Sequence, residues 1–179
     1  MPLFYQSSNN SEMASIEKGI CMKVYLTHHA NALSAEQDPE RHLSEVGVCE
    51  AERLGMFMKV IDAIPSQIIH SDKQWTRETA ERVAANLGQP VPVSVSNYGI
   101  APEDPVEPFI DQVELGEGDI MMAGHGDFLL RASAKLLTGN ERRWVLEFSP
   151  GNGTTFCLEN NKGVWKVVWG WRQEQLSSF

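Results

Sequence analysis

The sequence predicts a three-layer α/β domain, a mostly parallel sheet with an antiparallel edge held between helices. Three observations lead there. Short apolar β-prone runs alternate with stretches of helical periodicity, as in a parallel sheet with crossover helices. Near the carboxyl end, several such runs follow one another with turn chemistry instead of helices between them, which suits an antiparallel margin. The 179 residues, 42% apolar and 22% charged, are enough for one domain that buries about 70% of its unfolded surface without a disulfide or metal.

Taken in order, residues 1–21 are polar and irregular around Gln6-Ser7-Ser8-Asn9-Asn10-Ser11-Glu12, and read as a flexible N-terminal extension. Residues 22–179 are then a single domain. Lys23-Val24-Tyr25-Leu26-Thr27 opens it as an apolar strand. A helix runs from Ser44, its N-cap, to about Ile61, with Ala51, Leu54, Met58 and Ile61 at helical spacing. Gln67-Ile68-Ile69-His70 reads as a strand after Pro65. Thr76 to Leu87 reads as a helix closed by Gly88, with Ala80, Val83, Ala84 and Leu87 on one face. Pro90 and Pro92 push Val91–Val95 to a sheet edge, because proline cannot donate to a ladder. Asn97 to Pro108, with three prolines, reads as a long loop. Asp119–Ala123 is a buried strand leading through Gly124-His125-Gly126 into a helix capped by Asp127 and ending near Gly139. Strands follow at Trp144–Phe148, Thr154–Leu158 and Val164–Trp169, the last two joined by Asn160-Asn161-Lys162-Gly163.

The net charge of −9 argues against nucleic acid and anionic membranes, which need clustered cations. An anionic ligand must therefore be held by a local pocket. No apolar run approaches the roughly 20 residues of a bilayer span. The first residues lack the basic and apolar regions of a secretory signal. Cys21, Cys49 and Cys157 are widely spaced and read as reduced thiols, so the expected location is cytoplasmic.

Ligands of open α/β sheets bind at the carboxyl ends of parallel strands. Here Thr27-His28-His29-Ala30 leaves one strand, Gly124-His125-Gly126 another, and Ser71 a third, before Asp72-Lys73-Gln74-Trp75-Thr76-Arg77. Side by side, these ends bring His29, His125, Ser71 and neighbouring cations to one cleft. Helix starts add positive partial charge and free N–H groups. Two imidazoles above such a floor suit phosphoryl transfer, one as nucleophile and the other as hydrogen-bond donor.

These residues carry a resemblance. Thr27-His28-His29-Ala30 resembles the Arg-His-Gly motif that opens the histidine phosphatase (phosphoglycerate mutase-like) superfamily, and the size and spacing resemble its small SixA-type phosphohistidine phosphatases. Arg41-His42-Leu43-Ser44-Glu45-Val46-Gly47 is similar to the family's Arg-Pro-Leu-Thr/Ser-x-x-Gly, and Ser71 through Thr79 to its Ser-Pro-x-x-Arg-Ala-x-Gln-Thr. The likeness spans about residues 22–170. It implies a phosphoglycerate mutase-like fold, His29 as the nucleophile that takes the phosphoryl group, and His125 as the second histidine, in contact with the transferred phosphate. Ser71 and Thr79 would shape the pocket. No cofactor is implied, and the partner is a phosphorylated protein or a small phosphoester.

The departures fall on the anion clamp. His28 stands where the family has its first arginine, and Trp75 where the second falls. Ala30 replaces a glycine, at about 1 kcal/mol if that backbone needs a positive φ. Losing two guanidinium forks removes on the order of 3–6 kcal/mol of charge-assisted bonding, or about two to four decades of rate. Arg77, Lys73 and Arg41 are the candidate replacements, each with an ordinary role as a solvated surface cation. Trp75 either packs on the cleft rim or stacks on a ligand. Glu103 and Asp104 in the proline-rich loop are candidate general acids. No metal is predicted, because adjacent residues on an extended segment point to opposite faces and His28 and His29 do not share an ion. Gly116-Glu117-Gly118 lacks the third glycine of a dinucleotide motif. The sequence thus leaves two functions, a phosphatase working through His29 and a catalytically silent relative that binds anions or a protein partner.

Overall fold

Burial on both faces makes β1 (Met22–His28) an interior strand: Val24, Tyr25, Leu26 and Thr27 are all buried. The computed structural model describes residues 21–116 and 118–173, so residues 1–20 of the expected extension lie outside the described residues. After β1 come α1 (Glu45–Val60), β2 (Gln67–His70), α2 (Gln74–Asn86) and β3 (Val93–Val95). They are followed by α3 (Glu107–Leu115), β4 (Ile120–Gly124), α4 (Gly126–Thr138), β5 (Thr155–Asn161) and β6 (Val164–Trp171).

The six strands form one sheet in the order β3-β2-β4-β1-β5-β6. β3, β2, β4 and β1 are mutually parallel, whereas β5 and β6 run antiparallel at the far edge. The predicted three-layer architecture is the observed one. Tyr25, Met121 and Cys157 face Leu54, Met58, Ala80 and Val83 of α1 and α2 on one side. Leu26, Met122 and Leu158 face Phe109, Phe128 and Leu129 of α3 and α4 on the other. The two helices of the first layer touch closely at Gly55, where a Cβ would stand 2.5 Å from the Val83 carbonyl oxygen.

Several boundaries differ from the sequence reading, each for a local reason. Helix α1 starts as expected, with the Ser44 hydroxyl accepting from Gly47 N–H. Helix α2 begins at Gln74, two residues before Thr76, since the Lys73 carbonyl already accepts from Arg77 N–H. Helix α4 is capped at His125, not Asp127, because the His125 carbonyl accepts from Leu129 N–H. Asp127 sits instead in its first turn. The long loop ends early: α3 begins at Glu107, with Pro108 in the first turn, where a missing N–H costs nothing.

The expected strand at Trp144–Phe148 does not form. The free side of β1 is taken by β5, whose other side is taken by β6, so the segment has no place in the sheet beside β1 or β5, and β6 is the edge strand. Phe148 is buried against Phe156, while Trp144 and Val145 stay exposed. The β5–β6 turn uses Lys162 and Gly163, both at positive φ, as a tight hairpin requires. Trp169 and Trp171 pack on Phe57 of α1. Cys21, Cys49 and Cys157 are free thiols. No described helix is long and apolar enough to cross a membrane.

Candidate active site

Strand register brings the histidines together. β1 and β4 are parallel neighbours with His28 opposite Gly124, so the next residues, His29 and His125, leave the sheet side by side. β2 lies on the other side of β4 with His70 opposite Ala123, and it delivers Ser71 to the same end. The ring centroids of His28 and His29 are 4.4 Å apart, and those of His29 and His125 5.7 Å apart.

Each ring is held by one nitrogen. His29 Nδ1 lies 2.8 Å from the Ala30 carbonyl oxygen, which can only accept. Its proton is therefore on Nδ1, and Nε2 carries a free lone pair. Gly151 N–H, which can only donate, lies 3.0 Å from His28 Nδ1. Accepting from Gly151 puts the proton of neutral His28 on Nε2, on the ring edge that faces Gly126 at the start of α4, whereas donating to the His29 carbonyl puts it on Nδ1. The His29 carbonyl oxygen, 3.1 Å from His28 Nδ1, lies beside that bond as a second acceptor. His125 Nε2 is 3.0 Å from Ser71 Oγ, which also meets Thr76 Oγ1 at 2.8 Å. The one Ser71 proton serves either partner, so this hydroxyl sets the tautomer of His125.

All three rings are kept neutral. Burial first, then His28, His125 and Arg41, push His29 down to about 3, against the bond to Ala30. Burial also lowers His28. It lowers His125 as well, helped by His28, Lys73 and Arg41 and opposed by Asp72. A neutral imidazole with an unprotonated Nε2 is the form in which a histidine is a nucleophile.

The structure also places the candidate cations. Arg41 lies with its guanidinium carbon 4.3 Å over the Trp75 ring, and its Nε donates to the Leu33 carbonyl at 3.1 Å. It is one of three non-glycine residues at positive φ among the described residues, a sparsely populated backbone form that recurs at functional sites. The Trp75 ring is 6.0 Å from His29 and 6.2 Å from His125, so Trp75 sets Arg41 beside the histidine cluster. Trp75 Nε1 is buried with no protein acceptor. Lys73 is exposed and paired with Asp72 at 3.3 Å. Arg77 is exposed and held by Gln74 Oε1, on the outer side of α2. Ala30 carries no positive φ, so its replacement of glycine is not strained; its N–H donates to Thr79 Oγ1 at 3.0 Å.

A cleft of about 390 Å³ adjoins Ser71 and is lined by Lys73, Tyr98 and Asp104, among others. Asp104 Oδ2 accepts from Ala101 N–H at 2.7 Å, whereas Glu103 is exposed. Among the described residues, no group of three or more His, Cys, Asp or Glu is arranged to hold a metal ion. Gly151 was not singled out by sequence, and Gly126 and Thr76 entered as site residues only within the Gly124-His125-Gly126 and Ser71–Thr79 stretches. The turn chemistry of Gly151-Asn152-Gly153 is the signal that marks the first of them.

No family model matches the chain, and no curated protein matches it. Solved structures do. The protein histidine phosphatase SixA complexed with tungstate superposes with a TM-score of 0.73 at 19% identity, covering 87% of this chain and 99% of that one. The alpha-ribazole phosphatase from Shigella flexneri gives 0.63 at 15% identity, over 82% and 94%. The mycobacterial glucosyl-3-phosphoglycerate phosphatase gives 0.61 at 14%, over 83% and 97%. At these identities the likeness is one of fold: the chain has the histidine phosphatase, phosphoglycerate mutase-like architecture.

Proposed function

We propose that the protein is a phosphatase of the histidine phosphatase type, forming a covalent phosphohistidine on His29. The observation that carries the reading is the His29 ring, neutral, with Nδ1 anchored on Ala30 and Nε2 free, facing His125 at the carboxyl ends of three parallel strands. The fold shared with several phosphatases adds to it. Nε2 attacks phosphorus as the leaving group departs, and water then attacks the phosphorus and releases His29. With the Ser71 proton on His125 Nε2, the His125 ring proton is on Nδ1 and available to the transferred oxygens. With the His28 proton on Nε2, that ring and the free N–H groups of α4 add donors. Arg41, held by Trp75, supplies the permanent charge, and Lys73 stands at the cleft rim. Asp104, with Glu103 beside it, is the candidate proton donor to an alcohol leaving group.

The substrate is a protein phosphohistidine or a small phosphoester, in solution and without nucleic acid or membrane as partner. A phosphohistidine needs no acid from the protein once its imidazole is protonated. A second reading, a silent relative that binds anions or a protein partner, is favoured by His28 and Trp75 standing where the family has arginines. Turnover of a phosphohistidine peptide and of p-nitrophenyl phosphate from about pH 5 to 8, beside a His29→Ala variant, separates the two. Activity lost in the variant supports the phosphatase; equal background from both proteins leaves the binding module.

A further inference from the structure

The charge of the cleft narrows the class of substrate. Among the described residues, the charges beside the three rings are Arg41, over the Trp75 ring next to His29 and His125, Lys73 and Asp72 after Ser71, and Asp127 in the first turn of α4. Two are cations and two are carboxylates. Lys73 is already paired with Asp72, and the guanidinium of Arg77 is engaged by Gln74. The partial positive charge at the start of α4, worth about half an elementary charge, has the Asp127 carboxylate in its own first turn. The other polar groups at these strand ends are neutral: the imidazoles of His28 and His125, with the Ser71 hydroxyl already bonded to His125 and Thr76. One guanidinium therefore stands alone, inside a protein whose overall charge is −9.

We infer that this cleft takes its tetrahedral oxyanion as a monoanion, such as the phosphoryl group of a phosphodiester, in preference to the dianion of an ordinary phosphomonoester. The inference rests on the phosphatase reading above and deepens it. Among the described residues, a second negative charge finds only Lys73, already paired with Asp72, while neutral N–H donors serve a singly charged group without loss. Desolvation grows with charge, so the dianion gives up more on entering than the cleft returns. For a diester the step balances simply. A P–N bond to His29 Nε2 forms as the bond to one ester oxygen breaks, and that oxygen takes a proton. Water then adds to phosphorus, the P–N bond breaks and a proton is released, leaving an alcohol and a phosphomonoester.

Two non-hydrolysable isosteres test this on the full chain. Benzylsulfonate is a monoanion at pH 8.5, and benzylphosphonate is largely a dianion there; calorimetry compares their dissociation constants. The expected result is tighter binding of the sulfonate, by about tenfold for one uncompensated charge. Equal or tighter binding of the phosphonate overturns the inference, and so does the absence of binding by either. His28→Arg, which adds a second permanent cation, should reverse the order. Should that variant not fold, the wild-type ratio still decides. Turnover through His29 is read separately. A protein that hydrolyses p-nitrophenyl phosphate through His29 but prefers the phosphonate keeps its phosphatase assignment and loses only this one.

Discussion

Arg41→Met tests the replacement of the clamp. Its guanidinium lies 4.3 Å from the Trp75 ring centre, and that ring is about 6 Å from both His29 and His125. A charge-assisted hydrogen bond from it to a bound oxyanion is worth about 1.5–3 kcal/mol, or about 10- to 150-fold in kcat/KM. Methionine keeps the length and apolar contact with Trp75 but removes the charge and the planar fork. Steady-state kinetics on p-nitrophenyl phosphate should show that loss, with KM carrying part of it. Arg41→Lys should fall between, because an ammonium keeps the charge but not the stacked geometry. Arg41 also lowers the proton affinity of His29 and His125, so its removal should raise both ring pKa values in a proton NMR titration. A variant within about twofold of wild type, with unshifted histidines, would refute the placement of Arg41 in the site.

Three further outcomes follow from the same geometry. Ser71→Ala removes the partner of His125 Nε2 and should cost about 1–3 kcal/mol of stability by urea unfolding, with a larger loss of turnover than Thr138→Ala, whose hydroxyl bonds Ala134 and Asn140 at the far end of α4. Gly55→Ala puts a Cβ 2.5 Å from a backbone oxygen of α2 and should destabilise by about 1–3 kcal/mol while leaving KM unchanged; an unaltered urea midpoint would mean that α1 and α2 can separate freely. The third concerns pH. His29 takes a proton near its ordinary value of 6.5 when unfolded but only near 3 when folded. The stability it contributes is therefore complete above about pH 6.5 and is lost progressively as pH falls toward 3. The urea midpoint should drop over that window more steeply in wild type than in His29→Gln, and parallel curves would contradict it.

The layers of the fold were legible because the pattern of burial is local. Val24–Thr27 and Ile120–Ala123 read as strands on apolar content alone, and Ser44 with its following apolar spacing marked α1 correctly. Trp144–Phe148 misled for the opposite reason. Its composition is strand-like, but whether a strand forms depends on tertiary pairing, and the places beside β1 and β5 are taken by β5 and β6. In the cleft, His29, His125 and Ser71 were readable as strand-end residues, because parallel neighbours align such ends. Which cation approaches them was not readable. Arg41 and Arg77 look alike in sequence, and what separates them is a turn at positive φ that lays one over Trp75 and a helix face that turns the other outward. The contact from Gly151 to the His28 ring spans 123 positions, a distance over which no local pattern reaches.

The central claim is a covalent bond between phosphorus and His29 Nε2. Rapid quenching of the protein with substrate in base, followed by peptide mass spectrometry, tests it directly. An acid-labile phosphate should appear on the peptide containing His29 and be absent from His29→Ala. Sustained turnover by that variant, or a phosphate found on another residue, would contradict it.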